Sequence, residues 1–346
     1  MIDYLIIGQG LAGSILSYFL KKLNQKIIII DNKHSLSASM LSAGTMNYVL
    51  GQRLAMPADA ITIIPYALNF YKEIEKHSKK IMITNKPFIK IFNNIHEKEW
   101  YKKRILQDQY QPFIGKTIQP NEIKNIKNPN GGCYINKTYQ LDTPSFLNWF
   151  QQQLLKNNEL IFDKLNIKDL NITPQWIKWK TIKTKHIIFC DGQNIRFNPM
   201  FKNIPFYPSQ GDVLTINSTQ LDPNKIINHG KWLTPIAKNY YRYGATYLWQ
   251  NINCMPSQIG YNELIQSLKK LTSANFNILN HSSGIRMIPS DKMPILGTHP
   301  LNQNIHIFNG FGSRGTISIP YFANFLANHL VKKIPLSKTI NFKRFQ

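Results

Sequence analysis

A turn with three glycines lies between the first hydrophobic run of the chain and the first segment with helical spacing. The run at residues 4–7 is wholly apolar, as in strands buried on both faces, and residues 14–23 place apolar side chains on one helical face. Gly8 permits a tight turn, Gly10 leaves room for a pyrophosphate, and Gly13 lets the helix pack closely against the strand. This order predicts an α/β fold of the Rossmann type.

A second strand is predicted at residues 26–30, and it ends at an acidic residue, Asp31. In a nucleotide-binding βαβ unit, such an acid accepts hydrogen bonds from a ribose. The N-terminus of the helix predicted from Ser14 presents free N–H groups and a partial positive charge to phosphates. Leu11, Ala12 and Asn32 are further candidate cofactor-binding residues. We therefore expect nucleotide binding; the alternative is a glycine turn that holds no ligand.

The segment after this strand favours FAD over NAD as the nucleotide. Residues 37–44 are mostly small and include Ser39, Ser42, Ala43 and Gly44. An extended FAD molecule requires a second close approach of the backbone along its pyrophosphate and ribityl chain, and small side chains permit that approach. A nicotinamide-binding domain would more often continue into another crossover helix at this point.

Later segments are predicted to return the chain to the same sheet. A helix is predicted at residues 143–155, with strands at 160–162 and around residue 167. The apolar run at residues 185–189 predicts a further strand, whose carboxyl end would face the nucleotide. The candidate cofactor-binding residues of this part are Ile167, Asp191 and Gly192.

A second sheet is predicted from three stretches that are rich in Trp and Tyr and bounded by Pro or Gly. These stretches are residues 206–216, 232–249 and 284–296. Their pattern is typical of a mixed or antiparallel sheet, which we expect to cover the cofactor.

A second glycine turn lies between a predicted strand at residues 304–309 and a helix predicted from about 320 to 331. Because this turn precedes a helix, it is suited to an anionic or electron-rich part of a ligand, such as the flavin pyrimidine ring. Its candidate cofactor-binding residues are Gly310, Gly312, Ser313, Arg314, Gly315 and Thr316. The alternative is a plain strand-to-helix turn.

Five motifs, in this order and spacing, resemble the FAD-dependent D-amino-acid oxidase and glycine oxidase superfamily (the DAO fold). They are residues 8–13, Asp31, residues 37–44, residues 284–297 and residues 309–315, and the resemblance runs from residue 2 to about residue 345. Two further segments, residues 47–54 and 334–345, resemble a bacterial subgroup of this superfamily. The resemblance implies a Rossmann-like FAD-binding domain of the GR2 type, interleaved with a mixed or antiparallel-sheet substrate domain.

The domain boundaries follow from this interleaving. We expect the FAD-binding domain to comprise residues 1–80, 137–200 and 290–346. The substrate domain is then expected to comprise residues 81–136 and 201–289.

The resemblance also implies a reaction. FAD takes a hydride from a carbon that bears an amine, and the resulting imine hydrolyses. The substrate is expected to be a small amine or amino acid. The protein would mainly position that substrate over the flavin, so no strong protein base is required.

The residues implied for substrate or flavin contact come from several motifs. Arg286 matches an arginine that pairs with the substrate carboxylate in amino-acid-oxidising relatives; the alternative is a structural ion pair. Trp232 stands where relatives often have a tyrosine, and Tyr247 is a second lining candidate, although either ring could equally be core. Arg53 could face the substrate or the flavin, and Arg314 could stabilise the reduced ring.

The charge of the chain supports a competing interpretation. There are 42 Lys and Arg against 18 Asp and Glu, which gives a net charge of +24. The basic residues are dispersed, which favours neutral drift of a solvated surface over a dedicated nucleic-acid face. One branch of the same superfamily, however, oxidises the carboxymethylaminomethyl group of the tRNA wobble uridine, so tRNA is an alternative partner. A second alternative is a flavin-binding protein without turnover.

The cysteines and the hydropathy narrow the remaining classes. Cys133, Cys190 and Cys254 form no CxxC pair, so neither a zinc site nor a disulfide framework is expected. Some members of the superfamily that the chain resembles link the flavin to a cysteine, but the segment that carries Arg286 contains none, so FAD is expected to be non-covalent. No metal site is predicted. Neither a signal peptide nor a membrane span is expected, and we predict a cytoplasmic protein.

Overall fold

The computed structural model describes residues 1–33, 37–250 and 252–345. Its strands are β1 Ile2–Ile7, β2 Ile27–Asp31, β3 Thr45–Met46, β4 Ile83–Asn85, β5 Phe88–Ile91, β6 Ile114–Ile118, β7 Gly132–Ile135, β8 Tyr139–Leu141, β9 Leu160–Phe162, β10 Leu170–Ile172, β11 Ile177–Trp179, β12 Ile182–Phe189, β13 Phe206–Asn217, β14 Ile226–Asn228, β15 Trp232–Ala237, β16 Tyr240–Gly244, β17 Asn277–Pro289, β18 Ile295–His299 and β19 Asn302–Asn309. Its α-helices are α1 Leu11–Lys22, α2 Ala38–Leu41, α3 Ala60–Ser78, α4 Ile95–Ile105, α5 Thr143–Lys156, α6 Gln258–Leu271 and α7 Gly315–Lys332. Short 3-10 helices lie at Asp108–Tyr110, Ile167–Asp169, Gly192–Phe197, Pro199–Phe201 and Phe342–Phe345.

The chain divides into two compact units, each built from separate parts of the sequence. The first unit contains Met1–Met40, Thr143–Ser209 and Ile285–Gln346, and the second contains Leu41–Asp142 and Gln210–Gly284. Compared with the expected domains, residues 41–80 and 137–142 lie in the second unit, and residues 201–209 and 285–289 lie in the first. Pairing explains the first difference, because β8 joins β3 and β4 in a three-stranded sheet.

The first unit is built on a sheet whose central strands run parallel. Along this sheet β9 pairs with β2, β2 with β1, β1 with β12, and β12 with β19, all in parallel. Towards their carboxyl ends, four of these strands carry buried side chains that are apolar apart from His306, as expected where helices cover the faces of a parallel sheet: residues 5–7, 29–30, 187–189 and 305–308. Helix α1 packs against α7.

The strand register decides which loops of the first unit come together. Ile7 lies opposite Phe189 in β12 and opposite Ile30 in β2, and Phe189 lies opposite Ile307 in β19. The carboxyl ends of four parallel strands therefore meet at one edge of the sheet, which is where open α/β sheets bind ligands.

The second unit is built on a largely antiparallel sheet with the order β17-β13-β16-β15-β14-β5-β7-β6. One face carries a hydrophobic core that includes Leu214, Tyr241 and Tyr243 from the strands and Leu264 and Leu268 from α6. Since side chains alternate along a strand, the intervening residues of β15 and β16 lie on the opposite face. This sheet and the parallel sheet confirm the predicted fold class.

Two predicted element boundaries are wrong. Ile167 begins a 3-10 helix rather than a strand, and the next strand starts at Leu170. Helix α7 begins at Gly315, so Pro320 lies inside it. A proline in a helix interior removes one backbone hydrogen bond, which is why the sequence favoured a start at residue 320.

Candidate active site

The three glycines of the first turn have different surroundings. A Cβ atom at Gly8 would lie 2.6 Å from the carbonyl oxygen of Cys190, and one at Gly13 would lie 1.9 Å from the carbonyl oxygen of Gly8. A Cβ atom at Gly10 would instead meet only the Ser39 Oγ atom, at 3.3 Å, among the described residues. Gly8 and Gly13 are therefore required for packing, whereas Gly10 leaves a surface open to a ligand.

Hydrogen bonds hold the second strand and the small-residue segment against this turn. The Asp31 carboxylate accepts hydrogen bonds from the backbone N–H groups of Gln9 and Lys33, each at 2.8 Å. The Ser39 hydroxyl accepts one from the Leu11 N–H at 3.3 Å. Asp31 thus stands at the end of β2 beside the glycine turn, where a ribose-binding acid is expected.

The turn after β12 joins the turn after β19. The Asn309 side-chain amide donates to the carbonyl oxygen of Gly192 at 3.0 Å and accepts from the Gly310 N–H at 2.7 Å. Asp191 is partly exposed, but its Oδ1 atom is buried and has no hydrogen-bond partner among the described residues. Burial raises the pKa of Asp191 to about 7.

The second glycine turn packs against the end of β17. The Gly312 N–H donates to the carbonyl oxygen of Met287 at 3.1 Å, and a Cβ atom at Gly310 would lie 2.7 Å from the Pro289 ring. Arg286, half-buried, is the residue of β17 directly before Met287. Arg314 is the N-cap residue of α7, also half-buried. Three other candidates complete the turn: Ser313 is exposed, Gly315 begins α7, and Thr316 is buried.

In the second unit, the sheet face opposite the core carries polar groups. Trp232, half-buried at the start of β15, lies opposite Gly244, and Thr234 lies opposite Arg242. The Thr234 Oγ1 atom is buried with no hydrogen-bond partner among the described residues. The Arg242 guanidinium donates to the carbonyl oxygen of Ser42 at 3.3 Å, and burial lowers its pKa.

The small-residue segment is fixed to the same unit. Gln140 donates to the carbonyl oxygens of Ala43, at 3.4 Å, and Pro235, at 3.2 Å. Gly44 has a φ of +66°, and a Cβ atom there would lie 2.0 Å from the Leu141 carbonyl oxygen. Hydrogen bonds to their carbonyl oxygens hold Ser42 and Ala43, and Gly44 has no room for a side chain. The contact with FAD that their small size favours stays a prediction.

Arg242 lies outside the motifs from which the candidate site residues were predicted. Its one sequence signal is a cation in the middle of an aromatic strand, between Tyr241 and Tyr243. Tyr241 and Tyr243 belong to the core, so alternation along the strand places Arg242 on the other face.

Two predicted contact residues of the second unit are exposed. Tyr247 is 53% exposed, and the Arg53 guanidinium lies 5.7 Å from the centre of the Trp100 ring. Ile167 is half-buried, and Asn32 is exposed beside Asp31. The roles assigned to these four residues stay predictions.

A family model described as FAD dependent oxidoreductase (DAO) matches residues 3–329. The chain belongs to this family. It is therefore an FAD-dependent oxidoreductase, as the motifs predicted. The first unit of this DAO-family chain fits the cofactor, because Gly10 leaves a cradle that a Cβ atom would narrow and Asp191 Oδ1 is buried without a partner in the described part of the chain. The residues that would hold FAD are those of the two glycine turns, with Asp31 and Ser39.

The curated relatives of this DAO-family chain have names that refer to tRNA modification. The chain is 23% identical to the tRNA 5-methylaminomethyl-2-thiouridine biosynthesis bifunctional protein MnmC of Legionella pneumophila (strain Corby), over 96% of this chain and 54% of the relative. It is also 23% identical to the protein of that name from Actinobacillus pleuropneumoniae serotype 5b (strain L20), over 64% of this chain and 39% of the relative. The chain spans about half the length of the Legionella relative.

Solved structures of amine oxidases share the fold. Glycine oxidase from Bacillus cereus superposes with a TM-score of 0.81 at 16% identity, covering 97% of this chain and 96% of that chain. Iminodiacetate oxidase from Chelativorans sp. BNC1 gives a TM-score of 0.80 at 16% identity, covering 98% of each chain.

The part of the chain that the structure describes contains no cluster of three or more His, Cys, Asp or Glu suited to a metal ion. No helix in that same part is long and apolar enough to cross a bilayer.

Proposed function

We propose that this DAO-family enzyme oxidises the C–N bond of an amine that carries a carboxymethyl group. The hydrogen bond from Gly312 to Met287 supports this, because it fixes the turn predicted to contact the flavin beside the strand that carries Arg286. A half-buried guanidinium binds a carboxylate through two parallel hydrogen bonds and so fixes both its position and its orientation.

The proposed mechanism depends on positioning. Bound FAD supplies a hydride acceptor. Arg286 holds the substrate carboxylate so that the neighbouring C–H bond is aligned. Loss of the hydride from carbon and a proton from nitrogen leaves a substrate imine, and water then cleaves it into an aldehyde or keto acid and the shorter amine.

We propose that the amine is borne by tRNA, as the carboxymethylaminomethyl group of a wobble uridine. The names of the curated relatives support this substrate, and the net charge of +24 suits a polyanion. Because of these relatives we place tRNA before a free amine, whereas the dispersed charge alone favoured the free amine. Oxidation at the glycine carbon followed by hydrolysis would release glyoxylate and leave an aminomethyl group on the base.

A free amine or amino acid is the second candidate substrate. The fold is shared with enzymes named glycine oxidase and iminodiacetate oxidase, whose named substrates each contain a carboxymethyl amine. Both candidates therefore place the same chemical group before Arg286 and differ in what the nitrogen carries.

Anaerobic flavin reduction tests these proposals. The yellow protein is mixed with glycine, sarcosine, iminodiacetate and D-amino acids, and with tRNA that carries carboxymethylaminomethyluridine. Loss of visible flavin absorbance only with the modified tRNA is the expected result. Bleaching by a free amine but not by the modified tRNA would assign the second candidate. A flavin that dithionite reduces but no amine bleaches would contradict the proposed turnover.

A further inference from the structure

One tryptophan on the second unit gathers three cationic side chains. The Trp100 ring on α4 has the Arg53 guanidinium 5.7 Å from its centre, the Lys103 ammonium at 5.3 Å and the Arg104 guanidinium at 5.3 Å. We call these four residues the Trp100 cluster. Arg53 and Lys103 are exposed, and Trp100 and Arg104 are half-buried, so solvent reaches the cluster.

The cations of the Trp100 cluster have no carboxylate partner among the described residues. Arg104 donates to uncharged acceptors, the carbonyl oxygen of Arg53 at 3.3 Å and the Gln107 side chain at 3.2 Å. The neighbouring Lys102, by contrast, pairs with Glu99 at 3.0 Å. The Trp100 ring and the hydrogen bond from Arg104 to the Arg53 carbonyl oxygen thus hold three positive charges together. No carboxylate among the described residues pairs with them and offsets their mutual repulsion.

Further cation–ring pairs lie in the same unit. Arg104 also lies 4.6 Å from the centre of the Tyr110 ring. The Phe113 N–H donates to the Tyr110 carbonyl oxygen at 2.9 Å, and the exposed Lys137 lies 5.3 Å from the Phe113 ring centre. The basic and aromatic residues therefore continue from the Trp100 cluster along the segment that follows α4.

We infer that the Trp100 cluster binds a single-stranded loop of RNA. Its cations are suited to phosphates, and an accessible tryptophan ring is suited to stacking with a base or a ribose; single-stranded nucleic acid is recognised by this combination. The net charge of +24 makes a polyanion the complementary partner. The inference rests on the proposed tRNA substrate and names a surface that binds it.

The test measures RNA affinity in the FAD-loaded protein. Fluorescence anisotropy of a labelled anticodon stem-loop gives the Kd of the wild type and of the double variant K103Q/R104Q across a salt series. We expect the double variant to raise Kd about tenfold at about 0.1 M salt and to reduce the slope of log Kd against log salt by about 1.4, the value for two single-strand phosphate contacts. Glutamine keeps hydrogen-bonding capacity at both positions.

A matched double variant controls for net charge. Lys76 and Lys80 are exposed residues of the same unit, and K76Q/K80Q removes the same number of charges elsewhere. We expect its Kd to stay within about twofold of the wild type. The variant W100L retains an apolar side chain but loses stacking, so we expect about a tenfold rise in Kd with the salt slope unchanged.

Folding and function are read separately. Thermal unfolding and flavin content identify any variant that fails to fold, and the free nucleoside 5-carboxymethylaminomethyluridine reports oxidation without the RNA surface. If the wild type oxidises neither the nucleoside nor tRNA, the proposed function fails, while the affinities still decide the surface. Equal Kd values for K103Q/R104Q and K76Q/K80Q would overturn the inference. The inference would also be overturned if K103Q/R104Q lost binding to phosphatidylserine vesicles but bound RNA like the wild type, since the partner would then be a membrane.

Discussion

Gly13 faces the carbonyl oxygen of Gly8 so closely that a Cβ atom at residue 13 would lie 1.9 Å from it. This contact is between backbone atoms of β1's turn and α1, so it cannot be relieved by a change of rotamer. The close approach of helix and strand that the sequence pattern implied is thus a steric requirement of the first unit.

Alanine at Gly13 and alanine at Gly10 are expected to act differently. G13A should lower the stability of the apoprotein and prevent FAD retention, because the helix must move away from the strand. The Cβ atom of G10A meets only Ser39 Oγ in the described residues, so this variant should unfold at the wild-type temperature. It should retain little FAD, because the same Cβ atom narrows the space predicted for the pyrophosphate. Thermal unfolding by circular dichroism and the ratio of flavin to protein absorbance distinguish the two. Full FAD occupancy in G10A would contradict the assignment of the cradle.

Arg286 is expected to act on the substrate rather than on FAD retention. R286Q should lower kcat/KM about 10- to 100-fold, the cost of a lost charge-assisted hydrogen bond, while flavin content stays unchanged. R286K retains the charge but not the paired donors, so it should recover only part of the loss. Stopped-flow flavin reduction separates kcat from KM. An R286Q enzyme with wild-type kcat/KM would assign Arg286 a structural role.

Two glutamates of α4 offer a matched comparison of buried and exposed ion pairs. Glu97 is 2% exposed and pairs with Lys90 at 2.9 Å, whereas Glu99 is 48% exposed and pairs with Lys102. E97Q should lower the free energy of unfolding by about 3 kcal/mol, because it leaves the Lys90 charge buried without a counter-charge. E99Q should change it by less than about 0.5 kcal/mol. Urea unfolding measures both, and equal effects would show that burial of the pair is not maintained.

Acid should destabilise the protein through three histidines that are buried or half-buried. Burial lowers the pKa of His186 and of His229 from 6.5 to about 4, with nearby lysines acting in the same direction, and lowers that of His306 as well. The unfolded chain therefore binds more protons than the folded chain does. The free energy of unfolding has its full value above about pH 6.5 and falls as the pH decreases towards 4. At about pH 5, each of His186 and His229 should lower the free energy of unfolding by about 1–2 kcal/mol.

A variant of His229 tests this pH dependence. His229 lies 2.7 Å from the Tyr243 hydroxyl, and glutamine retains a partner for that hydroxyl. H229Q should therefore show a shallower fall in the free energy of unfolding between neutral and acid pH. The exposed His96, changed to glutamine, is the control. The same pH slope in H229Q and the wild type would rule out His229 as a source of the acid sensitivity.

Local patterns in the sequence are sufficient to predict the first glycine turn and the elements on either side of it. Residues 4–31 contain a complete strand, turn, helix and strand, and each element has its own periodicity, so their order could be predicted without tertiary information. The bond from Asn309 to Gly192 and the bond from Leu11 to Ser39 could not, because they join residues that are far apart in the sequence. Such contacts depend on strand order, which periodicity does not encode.

The surface was the least predictable part. The contact of Arg53 with substrate or flavin stays a prediction, and its sequence neighbours give no indication that Trp100 lies beside it. Arg242 was overlooked because an arginine within a strand is usually solvated, whereas here the strand is central and burial of the guanidinium follows from its neighbours on both sides. Both cases show that side-chain environment, unlike element type, is set by distant segments.

The sheet order of the first unit has a consequence for how the protein is made. Strand β12 is the partner of both β1 and β19, so the edge that presents both glycine turns includes residues from near the two ends of the chain. A ribosome must therefore release residue 309 from its exit tunnel before this edge is complete. A chain that lacks β19 leaves this side of β12 unpaired and able to join other strands.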